Sequence, residues 1–177
     1  TTMLLGAAKY LAETRNFGGT VHVIFQPAEE GFAGAKAMID DGLFEEFPCD
    51  QVYGLHNWPE MPAGQLAAVP GPIMAAADKF VIKVKGKGAH GAMPHNGVDP
   101  IVVGSQIVTA LQSLVSRSKN PIETAVISTT MFHAGSAFNV IPEEAELSGT
   151  VRTFNPKVQD MVEAGMKRIA EGISAAM

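Results

Sequence analysis

The fold that the sequence predicts is decided by residues 20–31, which read TVHVIFQPAEEG. The first six of these residues form a short segment rich in β-branched and apolar side chains, as is typical of a short strand that is covered on both faces. Strands of this kind belong to parallel sheets flanked by helices. We therefore expect an α/β sheet in which the polar residues after the strand lie at the carboxyl edge, where the sites of such sheets form.

The segments around this stretch alternate between helix and strand. Helical apolar patterns cover residues 3–11 and 34–41, and residues 51–55 form a second short strand pattern. Helix, strand, helix and strand with short connections are typical of an open α/β sheet. A segment with four prolines, residues 57–72, follows as a natural linker.

From about residue 75 the pattern changes to longer strands with strict alternation of apolar and polar residues, which indicates a sheet with one covered face. The predicted strands are residues 80–85, 124–132 and 144–152. An amphipathic helix follows Asp99, and another helical stripe covers residues 158–177. The order β-α-β-β-α matches a split βαβ unit without its final strand, so this block is α+β.

Composition excludes several classes of protein. The chain has 177 residues, 46% of them hydrophobic, and a formal charge of −5 without a basic cluster, which argues against a nucleic-acid partner. Apolar stretches are interrupted before the roughly 18 residues that a membrane span needs, so we expect a soluble protein with no membrane partner. The single cysteine, Cys49, excludes an internal disulfide, and we expect a cytoplasmic location. Helical patterns begin at Thr1 and stop at Met177 without punctuation, so the chain is expected to be cut at both ends.

Three candidate site residues follow the two predicted strands of the first block. Glu29 and Glu30 come after the first strand and His56 comes after the second. Adjacent carboxylates repel each other unless a cation or shared proton offsets their charge, and one can bind a metal while the other acts as general base. Imidazole and carboxylate together suit a divalent transition metal. The alternatives are carboxylates that stabilise the next helix through its dipole and a hydrogen-bonded turn histidine.

The second block carries its own polar residues in two connections and a strand. Glycines surround His90 in residues 86–97 (GKGAHGAMPHNG), and His90 can donate a hydrogen bond to a developing oxyanion. Asn139 can orient a substrate amide, and Arg152 can pair with a substrate carboxylate. The alternatives are a flexible connection with two solvated histidines, a turn asparagine and a solvated arginine.

Three further features are interpreted as having no role in chemistry. His22 lies inside a predicted strand and His133 has no polar context, so both are interpreted as structural. Residues 86–88 (GKG) lack the spacing to a Lys-Ser or Lys-Thr pair that a phosphate-cradling loop needs, which argues against nucleotide binding.

Five segments together carry a resemblance to a known family: residues 1–8 (TTMLLGAA), 26–31 (QPAEEG), 55–56 (LH), 88–95 (GAHGAMPH) and 138–142 (FNVIP). They resemble the amidohydrolase branch of the M20 metallopeptidase family, which includes hippurate hydrolase, N-acyl-amino-acid amidohydrolases and plant auxin-conjugate hydrolases. The resemblance implies that residues 1–74 are part of a zinc-peptidase-like α/β catalytic domain. It also implies that residues 75–177 are an inserted α+β lid and dimerisation domain without its last strand.

The resemblance implies a role for each matching residue. Glu29 matches the general base, and Glu30 and His56 match ligands of divalent metal ions, two per active site, which can be Zn, Mn, Co or Ni. His90 matches a lid histidine that reaches the active site of the partner subunit in a homodimer and stabilises the tetrahedral intermediate. The implied substrate contacts are Asn139, Arg152 and His95. The implied reaction is hydrolysis of the amide bond of a small-molecule N-acyl-amino acid by metal-bound hydroxide, with Glu29 transferring the proton to the leaving amine.

Two of the family's metal-ligand segments, a Cys-Gly-His-Asp-Gly-His stretch and a later histidine, have no counterpart in the 177 residues. The isolated segment is therefore expected to bind metal poorly and to be inactive. Two alternatives remain open. One is a dipeptidase or N-acetyl-diaminopimelate deacetylase of the same family, and the other is a non-catalytic dimerisation or ligand-binding module.

Overall fold

The computed structural model describes residues 1–31 and 33–177, which form two compact units. Unit 1 is Thr1–Gln65 and unit 2 is Leu66–Met177. The units differ in how much of each is buried. Among the described residues of unit 1 only Gly34 is buried, whereas unit 2 contains the hydrophobic core.

The described residues of unit 1 form three helices, α1 (Thr2–Thr14), α2 (Gly34–Asp40) and α3 (Leu43–Glu46). The predicted helices over residues 3–11 and 34–41 are confirmed. Helix α2 ends just before Gly42, whose φ of 90° lies in the left-handed region that glycine adopts without steric cost.

The two predicted strands of unit 1 are wrong. Neither residues 20–25 nor residues 51–55 pair as strands in the part of the chain that the structure describes. Most of their apolar side chains are exposed, for example Phe25 at 49% and Leu55 at 64%. A strand exists only through hydrogen bonds to a neighbouring strand, so β-branched composition without such a neighbour does not produce one. His22, interpreted as structural, packs its ring against Phe47 at a centroid distance of 5.4 Å.

Unit 2 contains a three-stranded antiparallel sheet in the order β1-β5-β3, formed by β1 (Ala76–Lys85), β5 (Glu144–Thr153) and β3 (Ala125–Ala134). A separate short pair joins β2 (Ala89–His90) to β4 (Val140–Ile141). Helices α4 (Pro100–Ser113), which continues into a π-helical turn over Leu114–Ser118, and α5 (Pro156–Ala176) complete the unit. The predicted order β-α-β-β-α is confirmed, and the short pair β2/β4 is an addition that the periodicity did not reveal.

The core of unit 2 lies between one face of the sheet and the two helices. Ile107 and Leu111 of α4, Leu147 of β5 and Val162 of α5 are at most 1% exposed. The alternation of β5 therefore places apolar residues on the covered face, as its sequence predicts.

Both long helices of unit 2 begin with a side-chain cap followed by proline. Asp99 Oδ1 accepts a hydrogen bond from the Ile101 amide at 2.8 Å, and Asn155 Oδ1 accepts one from the Lys157 amide at 3.0 Å. Each cap satisfies a donor without a helical partner and stabilises the helix by about 1 kcal/mol. No helix within the described residues is both long and apolar enough to cross a membrane.

Candidate functional site

Glu29 and Glu30 lie in an exposed turn of unit 1, in which the Gly31 amide donates a hydrogen bond to the Glu29 carbonyl at 2.9 Å. Ala28 and Ala33, on either side, have φ values of 50° and 52°. This left-handed region costs a residue with a side chain about 1–2 kcal/mol, and such strain concentrates at functional sites. The two adjacent carboxylates thus lie between two alanines that each adopt an unfavourable backbone conformation.

The helix-dipole interpretation of these carboxylates is not supported by the position of α2. This helix begins at Gly34, has no acidic residue in its first turn, and receives no side-chain cap. Dipole stabilisation falls off within the first turn, so Glu29 and Glu30 are too far along the chain to act as its acidic residues. Within residues 1–31 and 33–177, neither carboxylate forms a salt bridge.

His56 is an exposed residue of unit 1 whose ring is oriented by the backbone. Its Nδ1 lies 2.7 Å from the carbonyl oxygen of Asn57. Because a carbonyl oxygen can only accept, Nδ1 carries the proton, and in the neutral ring Nε2 keeps its lone pair. A metal-ligating histidine has this arrangement, in which one nitrogen donates to a backbone carbonyl and the other faces the metal.

Glu30 and His56 therefore have suitable donor chemistry for a divalent transition metal, but they are only two donors. No group of three or more His, Cys, Asp or Glu side chains in the described part of the chain is arranged to hold a metal ion. Protein metal sites commonly need at least three protein ligands. The donors of this chain fit part of a metal site.

The pair β2/β4 brings His90 and Asn139 together in unit 2. His90 lies opposite Val140, and the Gly91 amide donates a hydrogen bond to the Asn139 carbonyl at 2.8 Å. A Cβ at position 91 would lie 3.0 Å from that oxygen, so this close approach favours glycine. Two residues that are 49 positions apart in the sequence are thus held on one short ribbon.

The His90 ring is oriented by a different backbone group. The amide of Ala92 donates a hydrogen bond to Nδ1 at 3.1 Å. Nδ1 is therefore the acceptor, and the proton of the neutral ring is on Nε2. His90 consequently offers an N–H donor, as stabilisation of a developing oxyanion requires, whereas His56 offers a lone pair.

Arg152 lies far from His90 within unit 2. It is half-buried on β5 between Ala77 of β1 and Val126 of β3, and its Nη1 donates a hydrogen bond to the Val151 carbonyl at 3.0 Å. No acidic side chain among the described residues forms a salt bridge with it.

The short ribbon β2/β4 adjoins the opposite end of the sheet. The Gly86 amide, at the end of β1, donates to the Glu143 carbonyl, just before β5 begins at Glu144. Arg152 lies eight positions along β5 from Glu144, which corresponds to about 26 Å at roughly 3.3 Å per residue. The structure therefore brings His90 and Asn139 together at one end of the sheet of unit 2 and leaves Arg152 at the other end.

The remaining predicted contact, His95, is exposed on a short 3-10 helix, Pro94–Asn96, within the loop that carries His90. The groups that the sequence interpretation missed are the Asn57 carbonyl and the Ala92 amide, which orient the two histidine rings. They are backbone groups, so residue type gave no signal for either.

Comparison with known proteins identifies the family. The model of the family described as Peptidase family M20/M25/M40 matches residues 1–174 of the chain. The chain belongs to this family. The hippurate hydrolase of Campylobacter jejuni is 46% identical to this M20 chain over 176 residues, which are 99% of the chain and 46% of that protein. An N-acyl-L-amino acid amidohydrolase of Geobacillus stearothermophilus is 46% identical over 178 residues, 99% of the chain and 48% of that protein.

A solved structure is similar to the M20 chain as a whole. It is that of a dinuclear metal-binding peptidase of the M20 family from Bacillus subtilis, with 38% sequence identity and a TM-score of 0.71. The likeness covers 98% of this chain and 42% of that structure. The chain thus spans about half the length of the curated relatives that it matches.

Proposed function

We propose that the natural polypeptide that carries this chain hydrolyses the amide bond of N-acyl-amino acids and releases an amino acid and a carboxylic acid. The observation that carries the proposal is the likeness along nearly the whole chain to two relatives named for this chemistry. In this proposal residues 1–74 belong to the α/β catalytic domain. Residues 75–177 form an inserted lid.

Glu30 and His56 would hold a divalent metal ion together with ligands from other parts of the natural polypeptide. The orientation of His56 supports this role, since its Nε2 keeps its lone pair. The likeness to the dinuclear metal-binding peptidase of the M20 family supports two ions per site. When bound, such an ion supplies Lewis-acid polarisation of the amide carbonyl.

The other residues would handle the proton and the charges of the substrate. Glu29 takes the proton of the attacking water as the C–O bond forms, and it gives that proton to the amine nitrogen as the C–N bond breaks. The Nε2–H group of His90 stabilises the negative charge on the carbonyl oxygen. The remaining contacts to substrate are assigned to Arg152, which pairs with the carboxylate, and to Asn139 and His95.

The separation of His90 from Arg152 supports a homodimer. Within one copy of unit 2, the stretch of β5 from Glu144, at the ribbon end of the sheet, to Arg152 alone extends about 26 Å, which is much longer than an N-acyl-amino acid. His90 and Arg152 cannot contact the same substrate molecule from one copy. In the proposed homodimer, His90 comes from one subunit and Arg152 from the other, so that each site is complete only in the dimer.

The test is the variant Glu29→Gln in the natural polypeptide that carries this chain, assayed with N-benzoylglycine, N-acetyl-amino acids and dipeptides. Turnover of the N-acyl-amino acids should fall by about 10²–10⁴-fold because the base is lost, while metal content, measured by mass spectrometry of the ions, stays unchanged. Glu45→Gln, a change of an exposed glutamate in α3, is the matched control and should leave turnover unchanged. Retained turnover in Glu29→Gln, or wild-type activity confined to dipeptides, would contradict the proposal.

A further inference from the structure

Phe138 lies at the tip of a turn that forms one side of the His90 ribbon. The Val140 amide donates a hydrogen bond to the Ala137 carbonyl at 3.4 Å, which closes a turn with Phe138 and Asn139 at its two central positions. The side chain of Phe138 is fully exposed, at 104%. It therefore contributes no burial to the folding of unit 2, although a phenylalanine side chain buries more than 150 Å² where it packs.

Val140 provides a second exposed apolar group directly beside His90. The two residues are opposite each other in the antiparallel pair β2/β4, so their side chains lie on the same face with Cβ atoms about 5 Å apart. Val140 is 50% exposed, whereas its neighbour Ile141 is buried at 8% and anchors the ribbon.

Hydrogen bonding makes these groups one unit with His90. The Gly91 amide holds the Asn139 carbonyl, and the β2/β4 pairing holds Val140 opposite His90. Phe138 and Val140 therefore accompany His90 to whichever active site it enters. The ribbon presents one N–H donor, one side-chain amide and two apolar side chains.

We propose that Phe138 and Val140, here called the apolar edge, contact the acyl group of the substrate and select large apolar acyl groups over acetyl. The inference rests on the proposed function. In that function His90 donates to the carbonyl oxygen of the scissile amide, and this carbonyl belongs to the acyl group. The carboxylate of the amino-acid half pairs with Arg152 of the other subunit. Because the carbonyl that His90 contacts is part of the acyl group, the apolar side chains directly beside His90 are the ones placed to contact that group.

The experiment measures hydrolysis of N-benzoylglycine and of N-acetylglycine by the natural polypeptide that carries this chain. The two substrates share the same amino acid and differ only in the acyl group. In Phe138→Ala, kcat/KM for N-benzoylglycine should fall by about tenfold or more, as expected for loss of an apolar contact in a specificity site. The value for N-acetylglycine should change by less than about twofold. Val140→Thr keeps the shape of the side chain and replaces one methyl group by a hydroxyl. It should lower the ratio of kcat/KM for N-benzoylglycine to kcat/KM for N-acetylglycine, as Phe138→Ala does.

The controls are exposed apolar residues of unit 2 outside the ribbon. Val81 on β1 is 49% exposed, and Ile122, before β3, is 89% exposed. Val81→Thr and Ile122→Ala should leave the ratio of the two kcat/KM values unchanged. An equal fall for both substrates in Phe138→Ala, or a shift of the ratio in the controls, would overturn the inference.

A binding measurement separates this inference from the proposed function. The methyl NMR signals of Val140 and the aromatic NMR signals of Phe138 are followed as N-benzoylglycine is added to the natural polypeptide that carries this chain. Shifts at these residues without hydrolysis by the wild type would reject the proposed function and retain contact with the acyl group. If the wild type hydrolyses N-benzoylglycine and neither Phe138→Ala nor Val140→Thr changes its kcat/KM, the proposed function is retained and contact of the apolar edge with the acyl group is rejected.

Discussion

His56 and His90 both leave Nε2 outside their backbone hydrogen bonds, but in opposite protonation states, because each Nδ1 is held by a different backbone group. The carbonyl of Asn57 accepts from Nδ1 of His56, whereas the amide of Ala92 donates to Nδ1 of His90. A ligand to a metal must offer a lone pair, and a donor to an oxyanion must offer a proton. The two tautomers thus match the two roles proposed for these residues.

Nitrogen-15 NMR of the 177-residue chain in alkaline buffer tests this assignment. His56 should carry its proton on Nδ1 and His90 on Nε2. The Nδ1–H form is the minor tautomer of a free histidine side chain, so the His56 signal is the discriminating one. His95, which is exposed on the same loop as His90, serves as the reference. If both His56 and His90 match the reference, the backbone groups do not orient the rings.

At the scale of a single element, α5 contains two glycines in opposite environments. A Cβ at Gly165 would lie 2.5 Å from Cδ2 of Leu114, in the core between α4 and α5. A Cβ at Gly172 would have nothing within 4 Å. Close packing of two helices therefore depends on the first glycine and not on the second.

Alanine at these two positions should change the free energy of unfolding with opposite signs. Gly165→Ala should destabilise by about 1–3 kcal/mol because the core must shift to admit a methyl group. Gly172→Ala should stabilise by about 0.5–1 kcal/mol because alanine loses less backbone entropy in a helix. Urea denaturation of both variants measures the change. Equal stabilisation would mean that α4 and α5 do not pack as closely as described.

At the scale of the whole molecule, burial is concentrated in unit 2. Its sheet and two helices share one continuous hydrophobic cluster, whereas unit 1 buries only Gly34 among its described residues. Residues 66–177 expressed alone should therefore unfold cooperatively, with a urea midpoint close to that of the 177-residue chain. Residues 1–65 alone should show no cooperative transition by circular dichroism. A cooperative transition in residues 1–65 and none in residues 66–177 would contradict this distribution of stability.

The proposed homodimer predicts complementation between two inactive variants of the natural polypeptide. His90→Ala and Arg152→Ala should each lose most N-acyl-amino-acid hydrolysis. After the two are unfolded and refolded together, half of the dimers are hybrids with one intact site of two, so about a quarter of wild-type activity should return. Each variant treated alone is the control. No recovery in the mixture would mean that the two residues do not come from different subunits.

Local periodicity predicted the three long strands and two long helices of unit 2, but not the short pair β2/β4, and in unit 1 it predicted two helices correctly and two strands wrongly. Alternation in residues 144–152 and the Asp99 cap before α4 are properties of neighbouring residues, and the structure contains both. The strands predicted over residues 20–25 and 51–55 are absent because pairing needs a partner strand, and the apolar run itself does not specify one.

Residue type alone marks which positions can carry chemistry, because Glu29, Glu30, His56, His90, Asn139 and Arg152 have suitable donors or charges. Their arrangement follows only from the tertiary structure. It paired β2 with β4, oriented the two histidine rings and placed Arg152 at the other end of the sheet from His90. These features depend on backbone hydrogen bonds and strand register, which are set by the folded chain and leave no mark on residue type.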